Sequence, residues 1–217
     1  MTRETKALIK SMAYEEMEKK SSHKWKERGN KYYHGERVAS IALRLRRHLF
    51  PDVTQYDDLI EVAAWFHDIK NGVEMHNEKG ADVVRELLSP LLTKEEMDTV
   101  YAIIYDHDKR KPLDNEYPFY LTLHQDADLL DHFGCFDIWT EIFHASAMGA
   151  TVHYLINYLQ FDRPGQMDYE ITLLNYDISK KIMTDKRKFL TEFGNRFLDE
   201  CTTGIANEEE IFGYKED

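Results

Sequence analysis

The chain has 217 residues, 42% of them hydrophobic and 31% charged, a length and balance that suit a soluble domain with a sizeable core and exclude a disordered chain. No stretch approaches the ~18 apolar residues of a membrane helix, and the charged segment Met1 to Lys20 lacks the apolar centre of a secretory signal, so the expected location is the cytoplasm with no membrane partner. A net charge of -12 speaks against a nucleic-acid partner, which basic patches would hold, but leaves room for small phosphorylated ligands neutralised by a bound cation.

Ten glycines and five prolines leave long periodic stretches between them, which predicts an all-α fold. A first helix is expected over Thr2 to Lys20, set apart by the polar run Ser21 to Asn30. The expected organisation is a helical extension at 1–28, a helical core at 29–201 and a loose acidic tail at 202–217. From His34 the spacing His34, Val38, Ile41, Leu45 sets one residue per turn on a single apolar stripe, so His34 faces inward while Arg44, Arg46 and Arg47 fall elsewhere. A helix near Asp57 to Ile69 carries Leu59, Ala63 and Phe66 on its buried side and delivers His67 and Asp68 at its carboxyl end, before Gly72 breaks it. The next helix runs from Asn77 to Leu88 and stops at Pro90. Thr93, with Glu96 three residues on, is an N-cap for the stripe Met97, Val100, Ile104, His107. Pro112 to Pro118 reads as a loop, and Tyr120 to His132 as a helix holding Asp126, Asp128 and Asp131. Further helices are expected over Phe136 to Ala150, Val152 to Tyr158 and Tyr169 to Cys201, the last with a boundary near Thr184-Asp185. Cys135 and Cys201 are too few for a disulfide framework and read as structural.

Imidazoles and carboxylates gather at the inner ends of these stripes: His34, His67, Asp68, His76, His107 and Asp128. One such histidine alone is more often a hydrogen-bonded core residue than a ligand. Carboxylates, however, are rarely buried unless paired or bound to a metal, and several helices here each deliver one ligand-type residue inward. That convergence points to a divalent cation. Imidazole nitrogen and carboxylate oxygen suit manganese, iron, nickel or zinc, with cobalt and magnesium also candidates, and such an ion lowers the pKa of bound water.

The run Ala63-Ala64-Trp65-Phe66-His67-Asp68-Ile69 resembles the signature of the HD-domain superfamily of metal-dependent phosphohydrolases. His34 with Arg37-Val38 resembles that family's first histidine and following Arg-Val, and Gln125-Asp126-Ala127-Asp128 with Leu130-Asp131 its distal aspartate motif. His76 with Gly80-Ala81 and His107-Asp108 after Ile103-Ile104 match as well. The segment Ile182-Met183-Thr184, with Arg187, Phe189 and Phe197-Leu198, is more loosely similar to the tail of a bacterial subgroup of small HD hydrolases. The resemblance implies an HD-domain helical bundle with a metal site between helices and ligands His34, His67, Asp68 and Asp128. Asp128 is chosen over Asp126 because the family's ligand commonly precedes a variable residue and then leucine, which leaves Asp126 and Asp131 to support or cap.

HD enzymes with two metals use additional histidines, so His76 and His107 either hold a second ion or meet a substrate phosphate, with one metal per chain preferred. Arg37, one turn after His34, is either a phosphate contact or a surface ion pair with a glutamate; Lys79 is a further contact of the same kind. Where some relatives carry a proton-transfer carboxylate, this chain has Lys70-Asn71-Gly72, with Glu74 the nearest carboxylate. The aromatics Tyr32-Tyr33, Tyr117, Phe119 and Tyr120 either stack a base or pack the rim. His124 lies one turn before Asp128, while His23, His48, His132, His144 and His153 read as structural or surface residues. The expected function is hydrolysis of a phosphate ester or anhydride in a small molecule, a nucleotide foremost. The alternatives are a di-iron oxygenase on the same fold and a non-catalytic nucleotide or metal sensor.

Overall fold

The computed structural model describes residues 1–18, 21–22, 27–28, 30–110, 116–202 and 204–213. His23 and the Pro112 to Asn115 part of the expected loop lie outside the described residues. The chain divides into two compact units, one of residues 1–132 with 173–179 and one of residues 133–172 with 180–217.

The first unit contains α1 (Arg3–Glu18), a two-residue antiparallel pair of β1 (Ser21–Ser22) and β2 (Glu27–Arg28), α2 (Asn30–Leu49), α3 (Asp57–Phe66), α4 (His76–Leu88), α5 (Lys94–Asp106) and α6 (Phe119–Asp131). Among the described residues the fold is all-α apart from that short pair. Beyond its acidic first turn and Glu61, helix α3 is apolar, with Ile60, Val62, Ala63, Ala64 and Phe66 fully buried, so it forms the centre of the unit. Each large side chain removed from water there contributes about 1.5–3 kcal/mol. Helix α2 packs on both α3 and α6, and α5 on α3 and α4. Helix α1 buries Ile9, Ala13 and Met17, and its Lys6 pairs with Asp58 and Glu61 of α3, so it is part of this unit's core.

Local signals set several helix ends as expected. The Thr93 hydroxyl accepts from the Glu96 N–H at 3.2 Å while the Glu96 carboxylate accepts from the Thr93 N–H at 2.9 Å, a reciprocal cap on α5. Helix α4 begins at His76, directly after Met75 in a left-handed conformation (φ 55°). Arg46 departs from the stripe argument: it is 5% exposed, with its guanidinium on the Asp57 carboxylate at 2.6 Å and on the Phe50 and Pro51 carbonyls. A planar fork of donors can be buried where carbonyls at a helix end and a carboxylate on the next helix receive it.

The second unit contains α7 (Cys135–Ala147), α8 (Val152–Asn157), a π turn (Tyr158–Asp162), α9 (Arg163–Leu173), most of α10 (Asp177–Thr202) and the short α11 (Glu208–Phe212) within the acidic tail. Arg163 grips Asp137 with two bonds of 2.8 and 2.6 Å, which ties the start of α9 to α7. Cys135 and Cys201 are exposed free thiols rather than core residues.

The expected helix from Tyr169 to Cys201 is interrupted before Asp177, not near Thr184-Asp185. The cause is a long-range capture within the first unit: the Asp126 carboxylate accepts the backbone N–H groups of Asn175 at 2.8 Å and Tyr176 at 3.1 Å. Thr184 stays helical, its hydroxyl donating to the Lys180 carbonyl. Among the described residues no helix is long and apolar enough to cross a membrane.

Gly35 is the residue that lets α2 lie against the carboxyl end of α3. A Cβ built there would sit 2.5 Å from the Ala64 carbonyl oxygen and 3.0 Å from the Trp65 Cα, both backbone atoms that cannot swing away. Gly35→Ala is therefore expected to cost about 1–3 kcal/mol by overpacking, read as a lowered midpoint in urea denaturation, and an unchanged midpoint would contradict this close approach.

Candidate metal centre

The first unit brings six histidines and three aspartates together where the ends of α3, α4, α5 and α6 meet the first two turns of α2. Helix α2 projects Lys31, His34 and Arg37 at intervals of three residues, hence along one face. His67 caps the carboxyl end of α3 and Asp68 follows it. His76 opens α4 and His107 caps α5. The Asn77 side chain donates to the Tyr105 carbonyl and the Asp108 carboxylate, both at 2.8 Å, and so holds those two helix ends together. Helix α6 contributes His124, Asp128 and Asp131 and ends at His132.

Three of the imidazoles are tied on their outer nitrogen. His67 Nδ1 donates to the Ala64 carbonyl at 2.8 Å and His107 Nδ1 to the Ile104 carbonyl at 2.7 Å, because a carbonyl can only accept. His34 Nδ1 donates to the Asp131 carboxylate at 2.7 Å, and Arg37 grips that carboxylate through Nε at 2.8 Å and Nη2 at 2.9 Å. With Nδ1–H committed, each ring turns its Nε2 lone pair inward. His34 Nε2 and His67 Nε2 lie 3.2 Å apart, and Asp128 Oδ1 is 3.1 Å from the first and 3.5 Å from the second.

Two lone pairs at that distance repel unless a cation or a proton lies between them. In the metal-free protein a proton serves. Burial would depress the His34 pKa, but its hydrogen bonds to Asp128 and Asp131 outweigh burial and push it up to about 9. Burial likewise opposes the charge on Asp68 and Asp128. Neighbouring His67 and Lys31 nevertheless hold the Asp68 carboxyl well below the usual range, and His132 and His34 do the same for Asp128. His107 shows the opposite balance: burial and then His67 pull it down to about 4, so its ring is neutral. Imidazole nitrogens and carboxylates gathered this closely could hold a divalent cation, and the ligand-type atoms of His34, Asp128 and His132 all lie within 4.8 Å of one another. Ligand-type atoms of His34, His67 and Asp68 all lie within 4.8 Å of one another, as do those of Asp68, His76 and His107.

The remaining expected site residues divide by position. His76 stands 4.0 Å from Asp68 with its ring 5.3 Å from that of His107. Arg37 is engaged with Asp131, an aspartate rather than a glutamate. Asp126 faces away, onto Asn175 and Tyr176. Glu74 and Lys79 are exposed in the turn before α4 and on its first turn, outside these clusters. His124 is fully buried 5.1 Å from the His67 ring, with neither ring nitrogen hydrogen-bonded, and burial drives its pKa well down. Tyr120 and Phe119 pack on Tyr56, and Phe119 also on Phe50, at the far end of α6 from Asp128.

Three further residues belong to this cluster: His132, expected as a structural or surface residue, and Lys31 and Arg110, which carry no expectation from the sequence. His132 stacks on the His34 ring at 5.1 Å and reaches to 3.6 Å from Asp128 Oδ1. Lys31 Nζ lies 2.5 Å from Asp68, and Arg110 Nη2 lies 2.5 Å from Asp128. Their spacing carried a faint signal: Lys31 precedes His34 by three residues, Arg110 follows His107 by three, and His132 follows Asp128 by four.

Comparison with known proteins bears on the fold that carries this cluster. The HD domain family profile matches residues 32–132, the span that contains every residue of the cluster except Lys31. A solved HD-superfamily hydrolase from Bacillus thuringiensis superposes with a TM-score of 0.67 at 22% identity, covering 92% of this chain and 97% of that one. A predicted HD superfamily hydrolase from an uncultured Thermotogales bacterium gives 0.60 at 21% identity, covering 90% and 92%. Bacillus subtilis YpgQ in complex with ADP gives 0.58 at 20% identity, covering 93% and 100%. At these identities the likeness is one of fold. No curated protein matches the chain.

The Arg37–Asp131–His34 relay predicts that Arg37→Leu, which leaves every ligand in place, weakens manganese binding by about 10–100-fold, the usual cost of losing an outer partner of a metal-bound histidine. Calorimetric titration of the metal-free protein measures this, and unaltered affinity would remove Arg37 from the relay.

Proposed function

Taking as premise that the chain carries an HD domain at residues 32–132, we propose that the protein is a metal-dependent phosphohydrolase acting on a small phosphate ester or anhydride, a nucleotide foremost. The observation that carries this reading is the 3.2 Å approach of the His34 and His67 Nε2 atoms beside Asp128, each ring locked through Nδ1. A divalent cation bound there supplies water of lowered pKa and offsets negative charge on phosphoryl oxygens.

The chain's own residues do the rest. His34, His67, Asp68 and Asp128 hold the cation, and Asp131 fixes the His34 ring in the tautomer that ligation requires. His76 is partly exposed at the amino end of α4, which suits it to meet a phosphate oxygen at the mouth of the site. His107 is buried with Nδ1–H committed, so its Nε2 accepts a proton or ligates rather than donating. YpgQ, a structural neighbour, was solved with ADP, which favours the nucleotide part of the reading.

A second reading rests on one observation, the grouping of Asp68, His76 and His107 within 4.8 Å, which would suit a second ion and keeps the di-iron oxygenase in view. Metal analysis of the purified protein separates the two: two irons per chain with oxygen uptake favour the oxygenase, and one non-iron metal favours hydrolysis.

For the leading reading, metal-stripped protein reloaded with manganese, cobalt or nickel is expected to release phosphate or pyrophosphate from at least one member of a nucleotide panel. Asp68→Ala should abolish both metal uptake and turnover. Metal-loaded protein that turns over nothing on the panel would count against the proposal.

A further inference from the structure

The carboxylates at the centre each show two different sides. Asp128 Oδ1 faces the imidazoles, lying 3.1, 3.5 and 3.6 Å from the Nε2 atoms of His34, His67 and His132, while its Oδ2 is held by Arg110 at 2.5 Å. Asp68 Oδ1 lies 4.0 Å from His76 Nε2 and 3.3 Å from the Asn71 side-chain amide, while its Oδ2 is held by Lys31 at 2.5 Å. The two cations therefore sit on the outer oxygens of two candidate ligands. Their side chains are 25% and 15% exposed for Lys31 and Arg110, against 7% and 5% for the aspartates, so they lie at the boundary between the buried cluster and solvent.

These cations differ from Arg37, which grips the Asp131 carboxylate with two nitrogens, Nε and Nη2. Arg110 places one nitrogen on Asp128, and its buried Nε has no partner among the described residues. An arginine has five donors and a lysine ammonium three, so both keep hydrogen-bonding capacity beyond the one contact with its aspartate that each makes among the described residues. The charge balance points the same way. Asp68, Asp128 and Asp131 are offset by Lys31, Arg37 and Arg110. Adding a divalent cation leaves the site with an excess of positive charge, and the carboxylates then no longer need Lys31 and Arg110 for neutralisation.

Resting on the phosphohydrolase reading, we propose that Lys31 and Arg110 are the substrate's phosphate anchors: they neutralise Asp68 and Asp128 in the metal-free protein and bind the substrate's phosphoryl oxygens once a divalent cation occupies the site. Two cations on separate elements, one on α2 and one after α5, suit a diphosphate better than a single phosphate. The chain, acidic overall, thus keeps its positive charge where an anion needs it.

Lys31→Met and Arg110→Met test this, with Lys31→Gln and Arg110→Gln as second variants should either methionine form fail to fold by circular dichroism. Manganese affinity of the metal-free protein and inorganic pyrophosphate affinity of the manganese-loaded protein are measured by calorimetry. Anchors predict manganese affinity unchanged or tighter and pyrophosphate affinity reduced about tenfold or more for each variant, the loss expected for one charge-assisted hydrogen bond. In turnover, KM rises while kcat stays nearly constant. Weakened manganese binding with pyrophosphate affinity intact would make both residues mere positioners of the carboxylates and overturn the proposal, as would no change in either quantity. If the wild type binds pyrophosphate through these residues but hydrolyses nothing, the anchors stand and the hydrolase reading fails.

Discussion

Two imidazole nitrogens held 3.2 Å apart with their lone pairs facing each other are the constraint around which the first unit is organised. Neither ring can turn aside. His67 is pinned by the carbonyl of its own helix, and His34 by Asp131, itself clamped by Arg37. The backbone is committed to the same end, since Gly35 lets α2 approach the Ala64 carbonyl closely enough to bring the preceding residue, His34, to the end of α3. A proton relieves the repulsion in the metal-free protein, and a divalent cation relieves it with more ligands.

Burying this much charge is costly in isolation, and the surroundings lessen the cost at each point. Every central carboxylate has a cation on it: Lys31 on Asp68, Arg110 on Asp128, Arg37 on Asp131. Breaking such a buried pair by removing one partner is strongly destabilising, because the other charge is left without compensation. The apolar shell of α3 supplies the low-dielectric wall that strengthens these pairs and sharpens the preference for a multivalent cation. His124, fully buried, neutral and without hydrogen bonds, completes that wall on the α6 side.

Much of this was legible in the sequence because it depends on spacing. The stripe through His34, Val38 and Leu45, the delivery of His67 and Asp68 at the end of an apolar helix, and the reciprocal cap at Thr93 are all written within a few turns of chain. What escaped depends on pairings between distant segments. Lys31 meets Asp68 across 37 residues, Arg37 meets Asp131 across 94, and Asp126 interrupts a helix 49 residues away. No periodicity encodes such a contact. Arg46 escaped for a related reason: its burial follows from a carboxylate on the next helix, not from its place on the stripe. His132 reads as a structural or surface residue in the sequence, and in the structure its half-exposed ring lies flat on His34.

In the proposed centre one cation would lie between the His34 and His67 rings, with Asp68 and Asp128 completing its ligands and Asp131 one step removed. Anomalous diffraction from crystals of the manganese-loaded protein, collected on both sides of the metal absorption edge, addresses this most directly. The expected result is a peak about 2.0–2.3 Å from both Nε2 atoms and from an oxygen of each ligand aspartate, with His34 Nδ1 still on Asp131. A stoichiometric metal found elsewhere, or one bound with the His34 ring turned away from it, would contradict the account.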